Sequence, residues 1–178
     1  MPVVHDPECH DIGMTNRLAA RRRLSNLQAK MSCHYPIDRS GDIMAMVAEH
    51  KRAWHAGVSC WEGCRDINSR SIGIEICNPG PECDRSDFPD TQMEAAMALS
   101  LDIVARYPIP PYQVPAHRDV APQRKQDLGE KFNWRRLYES GIGLWVPPKP
   151  VVAGGGIKPG ESGGRVLDLQ TKLRSYGL

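Results

Sequence analysis

The segment from Pro115 to Phe132, PAHRDVAPQRKQDLGEKF, holds His117, Lys125 and Asp127. An imidazole and a carboxylate ten residues apart on an irregular loop can converge on one metal ion, with an ammonium two positions from the carboxylate. Zinc in a catalytic site typically takes three protein ligands from His, Asp, Glu or Cys and keeps a fourth position open for water. The loop supplies two such ligands, so a third must come from elsewhere. The competing reading is a surface loop whose histidine caps a strand and whose charges are solvated.

These groups need elements to hold them. Ser71 to Cys77, SIGIEIC, reads as a buried strand with Ile72, Ile74 and Ile76 on one face. Period-two alternation then puts Glu75 on the other face, toward either water or a site. Thr91 to Arg106 predicts the longest helix, with Thr91 as cap and Glu94 three residues later, stopped by Pro108. Ser32 to Asp38 and Ile43 to Val47 predict a hairpin through Arg39-Ser40-Gly41-Asp42. The stretch RAWHAGVSCWEG, with Trp54, His55 and Trp61, is too aromatic for a bland loop and too broken for a helix, and suits a pocket wall. Met1 to Cys9 is weak strand material, because Pro7 interrupts it and its apolar run is only Val3-Val4. A helix is expected from Thr15 to about Leu27, and a short closing one over Trp134 to Glu139.

Composition narrows the classes. The chain has 178 residues, 40% of them hydrophobic and 25% charged, enough for one cored domain with an appendage. A formal net charge of +2, with only Arg21-Arg22-Arg23 locally basic, gives no nucleic-acid footprint. No apolar run reaches the length of a membrane span, and the opening MPVVHDPECH lacks the layout of a secretory leader. As written, the chain is expected in the cytosol, or in the periplasm or cell envelope if its beginning is incomplete. Six cysteines without a CxxC pair predict free thiols.

Several stretches together resemble the zinc-dependent N-acetylmuramoyl-L-alanine amidases, whose fold is shared with peptidoglycan recognition proteins. They are His10-Asp11-Ile12-Gly13-Met14, Ser32-Cys33-His34-Tyr35, Arg52-Ala53-Trp54-His55-Ala56-Gly57 and Ser71-Ile72-Gly73-Ile74-Glu75. His117-Arg118-Asp119-Val120-Ala121-Pro122, Arg124-Lys125-Gln126-Asp127 and Gly141-Ile142-Gly143-Leu144-Trp145 complete the series in the family's order. The resemblance implies an α/β fold with a mixed central sheet flanked by helices. It implies one zinc ion held by His10, His117 and Asp127, with Glu75 and Lys125 as catalytic residues and Tyr35 lining the site. Trp54 and His55 become candidates for substrate contact, with core packing for Trp54 and a structural hydrogen bond for His55 as the equal alternatives. The lead-in VVHDPEC departs from the family's usual continuous strand, which leaves His5 as the alternative to His10, and Leu128 stands where the family usually has proline after the aspartate.

The implied reaction is hydrolysis of the amide between N-acetylmuramic acid and L-alanine in peptidoglycan or muropeptides. The alternative within the same fold is a module that binds muropeptides without cutting them. A third reading, from another class, is an interaction protein whose His, Cys and Asp residues are incidental. The expected organisation is a catalytic domain over residues 1–146, a Pro/Gly-rich linker over 147–164 and, over 165–178, a stub resembling the opening helix of a peptidoglycan-binding domain.

Overall fold

A computed structural model describes residues 31–78, 87–150 and 156–175, together with the backbone of residues 2–5. Three strands form a sheet in the order β1-β3-β2: β1 is Pro2–His5, β2 is Tyr35–Ile37 and β3 is Ile72–Ile76. Both pairings are parallel, and Ile43 adds an isolated antiparallel bridge to Ile37 at the β2 edge. The central strand is β3, buried along its whole length, as its run of isoleucines requires.

One face of the sheet carries the main core. Ile37, Ile72, Ile74 and Ile76 pack with Met93, Ala96 and Ile103 of α1, Asp90–Arg106, and with Leu128, Phe132, Leu137 and Ile142 from the chain beyond. The buried Gln92 of α1 donates from its amide to the carbonyls of Ile37 (3.1 Å) and Cys77 (2.9 Å), tying the ends of β2 and β3 together. The helix begins at Asp90, behind Pro89, one residue before the expected start. Thr91 therefore lies in the first turn instead of capping it, and its hydroxyl reaches the Arg39 carbonyl at 3.4 Å. The short helix α3, Trp134–Glu139, forms as expected, with the Asn133 side chain accepting from the Arg136 N–H at its start.

Two expectations change. The opening segment does make a strand: β1 gains its order from β3, with Pro2, Val3, Val4 and His5 in register with Ile72, Gly73, Ile74 and Glu75. Tertiary pairing overrides weak local propensity here. The hairpin is only partly regular. The Met44 and Met46 N–H groups donate to Pro36 and His34, but Pro36 has no N–H with which to return a bond, so the second arm is not a full strand. The expected helix from Thr15 to Leu27 lies outside the described residues.

The other face of the sheet is covered by the short helix α2, His117–Val120, which packs against β1. Beside it lies a small cluster of Ala56, Ile67 and Val120. Past residue 146 the described chain is irregular until α4, Gly164–Ser175, whose Leu167, Leu169 and Leu173 are exposed. Among the described residues no helix is long and apolar enough to cross a membrane.

Candidate active site

The face of β3 opposite the isoleucines carries Gly73 and Glu75. Glu75 is fully buried, which removes the water-facing alternative. Gly73 makes room for an imidazole: a Cβ there would lie 2.5 Å from His55 Cγ and 2.8 Å from its Nδ1. Gly73→Ala should therefore destabilise the protein by about 1–3 kcal/mol, the usual range for overpacking a rigid core, read by denaturant unfolding.

Two neutral histidines frame this layer. His34, immediately before β2, accepts from the Gly73 N–H at Nδ1 (2.9 Å), so its Nε2–H donates to the Lys51 carbonyl (3.1 Å). Burial lowers its pKa. His55 donates from Nε2 to Ser71 Oγ (3.2 Å), because that hydroxyl spends its own proton on the Ile67 carbonyl (2.6 Å). Burial, with the neighbouring His34 and His117, pushes His55 down to about 3. His55 is thus buried and held by Ser71, whereas Trp54 beside it is 57% exposed. The Arg52 guanidinium lies 4.4 Å above the Trp54 ring and is itself held by Asp66 and Ser69, leaving a braced aromatic surface at the protein's exterior.

Cys33 is buried against Glu75. Its thiol is pushed well above the ordinary range, first by burial and then by the Glu75 carboxylate. A neutral, enclosed thiol is no nucleophile. Cys33, Cys60 and Cys64 carry free thiols.

His117 and Asp127 come together as their spacing suggested. His117 opens α2, where Asp119 steadies the turn by accepting the Ala116 N–H at 2.8 Å. The Arg118 N–H donates to the Asp127 carbonyl (3.2 Å), closing the loop on itself. His117 Nδ1 lies 3.2 Å from Asp127 Oδ2, and His117 Nε2 lies 3.1 Å from the Ala56 carbonyl. Both side chains are almost wholly buried. Burial acts to raise the Asp127 carboxyl, but hydrogen bonding and charge from His117, with Lys125, outweigh it and hold it below the usual carboxylate range. Lys125 is half-buried in a groove with Arg118, Pro122, Gln126 and Glu130.

This pair fits a metal ion. With Nε2–H on a backbone carbonyl, Nδ1 faces an ionised carboxylate, an arrangement that holds either a proton or a cation between the two atoms. Two ligand atoms bound tetrahedrally to one zinc at typical bond lengths lie about 3.3 Å apart, close to the separation found. Among the described residues no three His, Cys, Asp or Glu side chains group as metal ligands, so a third ligand would be a side chain that is not described. His10 lies outside the described residues. The backbone of His5 is described, and it stands in register with Glu75.

Tyr35 is not brought to this centre. In register with Ile74, it packs with the core on the α1 face, and its hydroxyl donates to Glu49 at 2.7 Å. Arg106 and Tyr107 bind the same carboxylate, and hydrogen bonding from Arg106 above all holds Glu49 at about 2.

A buried, facing His117 and Asp127 on an irregular loop accompany a parallel sheet whose central strand carries the buried Glu75, in an α/β domain. The family model for N-acetylmuramoyl-L-alanine amidases matches residues 2–130, and the chain belongs to that family. It is 44% identical over 108 residues to the N-acetylmuramoyl-L-alanine amidase AmiD of Escherichia coli, covering 58% of this chain and 39% of AmiD. It is 38% identical over 102 residues to the 1,6-anhydro-N-acetylmuramyl-L-alanine amidase AmpD of Enterobacter cloacae, covering 57% and 52%. The chain thus spans between about two fifths and half of these relatives' lengths. Among solved structures, E. coli AmiD in complex with anhydro-N-acetylmuramic acid-L-Ala-D-gamma-Glu-L-Lys superposes with a TM-score of 0.70 at 34% identity, covering 81% of this chain and 58% of that one. AmpDh3 of Pseudomonas aeruginosa with an anhydromuramic pentapeptide gives 0.71 at 34% identity, covering 82% and 61%.

Proposed function

We propose that this protein is a zinc-dependent N-acetylmuramoyl-L-alanine amidase, hydrolysing the amide between the lactyl group of N-acetylmuramic acid and L-alanine in muropeptides or peptidoglycan. The observation that carries the reading is the buried facing of His117 Nδ1 and Asp127 Oδ2 at 3.2 Å, in a chain similar to amidases whose structures hold anhydromuropeptides. The proposed zinc ligands are His117, Asp127 and an N-terminal histidine. For that third position we assign His5 in place of His10. The β1 register sets residue 5 opposite Glu75, and α2, which begins at His117, packs on β1; both support the choice.

Zinc in such a set supplies Lewis acidity and lowers the pKa of a bound water toward 7. The chain's own residues do the rest. Glu75 takes the proton of the attacking water and returns one to the leaving amine of L-alanine. Lys125 meets the negative charge that develops on the former carbonyl oxygen. Trp54, exposed and braced by Arg52, offers a face to the sugar or stem peptide. Residues 165–178 are proposed as the opening of a peptidoglycan-binding domain, a reading supported by the exposed leucines of α4.

The test is mass spectrometry of a defined muropeptide incubated with the protein, with and without a chelator. Release of a stem peptide beginning with L-alanine, lost on chelation and restored by zinc, is the expected result. Bound muropeptide with no cleavage at full zinc occupancy would replace the enzyme by a binding module. In the same assay His5→Ala should lose both zinc and activity while His10→Ala keeps them; the reverse pattern returns the ligand role to His10.

A further inference from the structure

The loop after Trp54 and the loop after α2 meet at one guanidinium. Arg124 Nη2 donates to the Ala56 carbonyl at 2.8 Å and to the Val58 carbonyl at 3.1 Å. Two carbonyls two positions apart converge on a single donor only where the chain between them turns back sharply. Gly57 makes that turn, at φ +58°, a backbone conformation that glycine adopts without penalty. A Cβ on Gly57 would lie 2.9 Å from Arg124 Nη2, so the guanidinium rests against the bare α-carbon.

The Ala56 oxygen serves a second donor. His117 Nε2 lies 3.1 Å from it, nearer than the 3.4 Å that separates Nε2 from Arg124 Nη2. A carbonyl oxygen has two lone pairs and accommodates both, and a guanidinium has no acceptor with which to compete for the imidazole proton. Ala56 is fully buried, so water does not stand in for either bond. With Nε2–H on the Ala56 oxygen, the ring is turned so that Nδ1 is the atom facing Asp127 Oδ2.

We propose that Arg124 is a positioning residue for the metal centre. By clamping the Ala56 and Val58 carbonyls around Gly57, it fixes the acceptor that sets the ring orientation of His117. The inference rests on the zinc amidase reading above and adds a residue that supplies no ligand atom. Groups that orient a ligating histidine through its second nitrogen typically contribute 10- to 100-fold to metal affinity; Arg124 acts one step further out, on the acceptor itself.

The test is zinc affinity of Arg124→Ala, measured by competition with a chromophoric chelator, alongside the melting temperature of the zinc-free protein. The expected result is an affinity about 10-fold or more below wild type, the lower end of that range, with the zinc-free melting temperature within a few degrees of it. A purely structural role would lower the two in step. If Arg124→Ala does melt well below wild type without zinc, Arg124→Gln, which keeps an aliphatic stem over Gly57, decides on the same two readouts. Wild-type zinc affinity in a folded variant overturns the inference alone. A wild-type chain that takes up no zinc overturns the amidase reading and this inference with it.

Discussion

Glu75→Gln is expected to lower kcat for muropeptide hydrolysis by about 10²- to 10⁴-fold, the range supplied by a positioned general acid–base group. Zinc content and substrate affinity should stay close to wild type. Glutamine keeps the shape of the side chain and its place on β3 but cannot take a proton from water. The site is fully buried, with Cys33 against it and Gly73 on the same face of the strand, so the change is confined to chemistry. Removing a charge from the interior should also leave the melting temperature unchanged or raised, because a buried carboxylate is costly unless fully compensated. A Glu75→Gln protein that retains most of wild-type kcat would transfer the acid–base role to another group. A protein that loses zinc would mean that Glu75 acts on the metal.

The parts of this site that the sequence made legible are those set by local periodicity. Alternation in SIGIEIC put Glu75 opposite the isoleucines, and the fold buries both faces of that strand. The ten-residue spacing of His117 and Asp127 on a loop rich in proline and glycine fits two groups that meet. What escaped is long-range. Strand β1 has little apolar character of its own and is ordered by pairing with β3. His55 follows an exposed Trp54, and the absence of a side chain at Gly73 lets its ring pack into the interior, a long-range fit that its spacing does not show. Tyr35 follows the parity of β2 to the α1 face, where its hydroxyl donates to Glu49, a carboxylate that Arg106 also binds. The tie from Arg124 to Ala56 joins residues 68 positions apart. The glycine of Trp54-His55-Ala56-Gly57 was its one local trace, since a tight turn is a reason for glycine and says nothing of what rests against it.

Asp127→Asn should abolish zinc binding at working concentrations and reduce kcat/KM to near background. Orienting groups beyond the ligands already account for 10- to 100-fold in affinity, so loss of a ligand's charge should cost more than about 100-fold. Asparagine preserves volume and one acceptor oxygen, which separates the role of charge from that of packing at a site only 4% exposed. The carboxyl is ionised at neutral pH because His117 and Lys125 outweigh its burial, and it is this anion that offsets the charge of the metal. His117→Ala should match it in zinc loss but not in stability. The alanine leaves a cavity beside α2 and abandons the Ala56 carbonyl to Arg124 alone, so the zinc-free His117→Ala protein should melt below zinc-free Asp127→Asn. Isothermal titration with zinc and thermal melts of both metal-free variants separate the two effects. If Asp127→Asn binds zinc as wild type does, the carboxylate is no ligand, and its facing with Nδ1 at 3.2 Å is a histidine–aspartate ion pair of the fold.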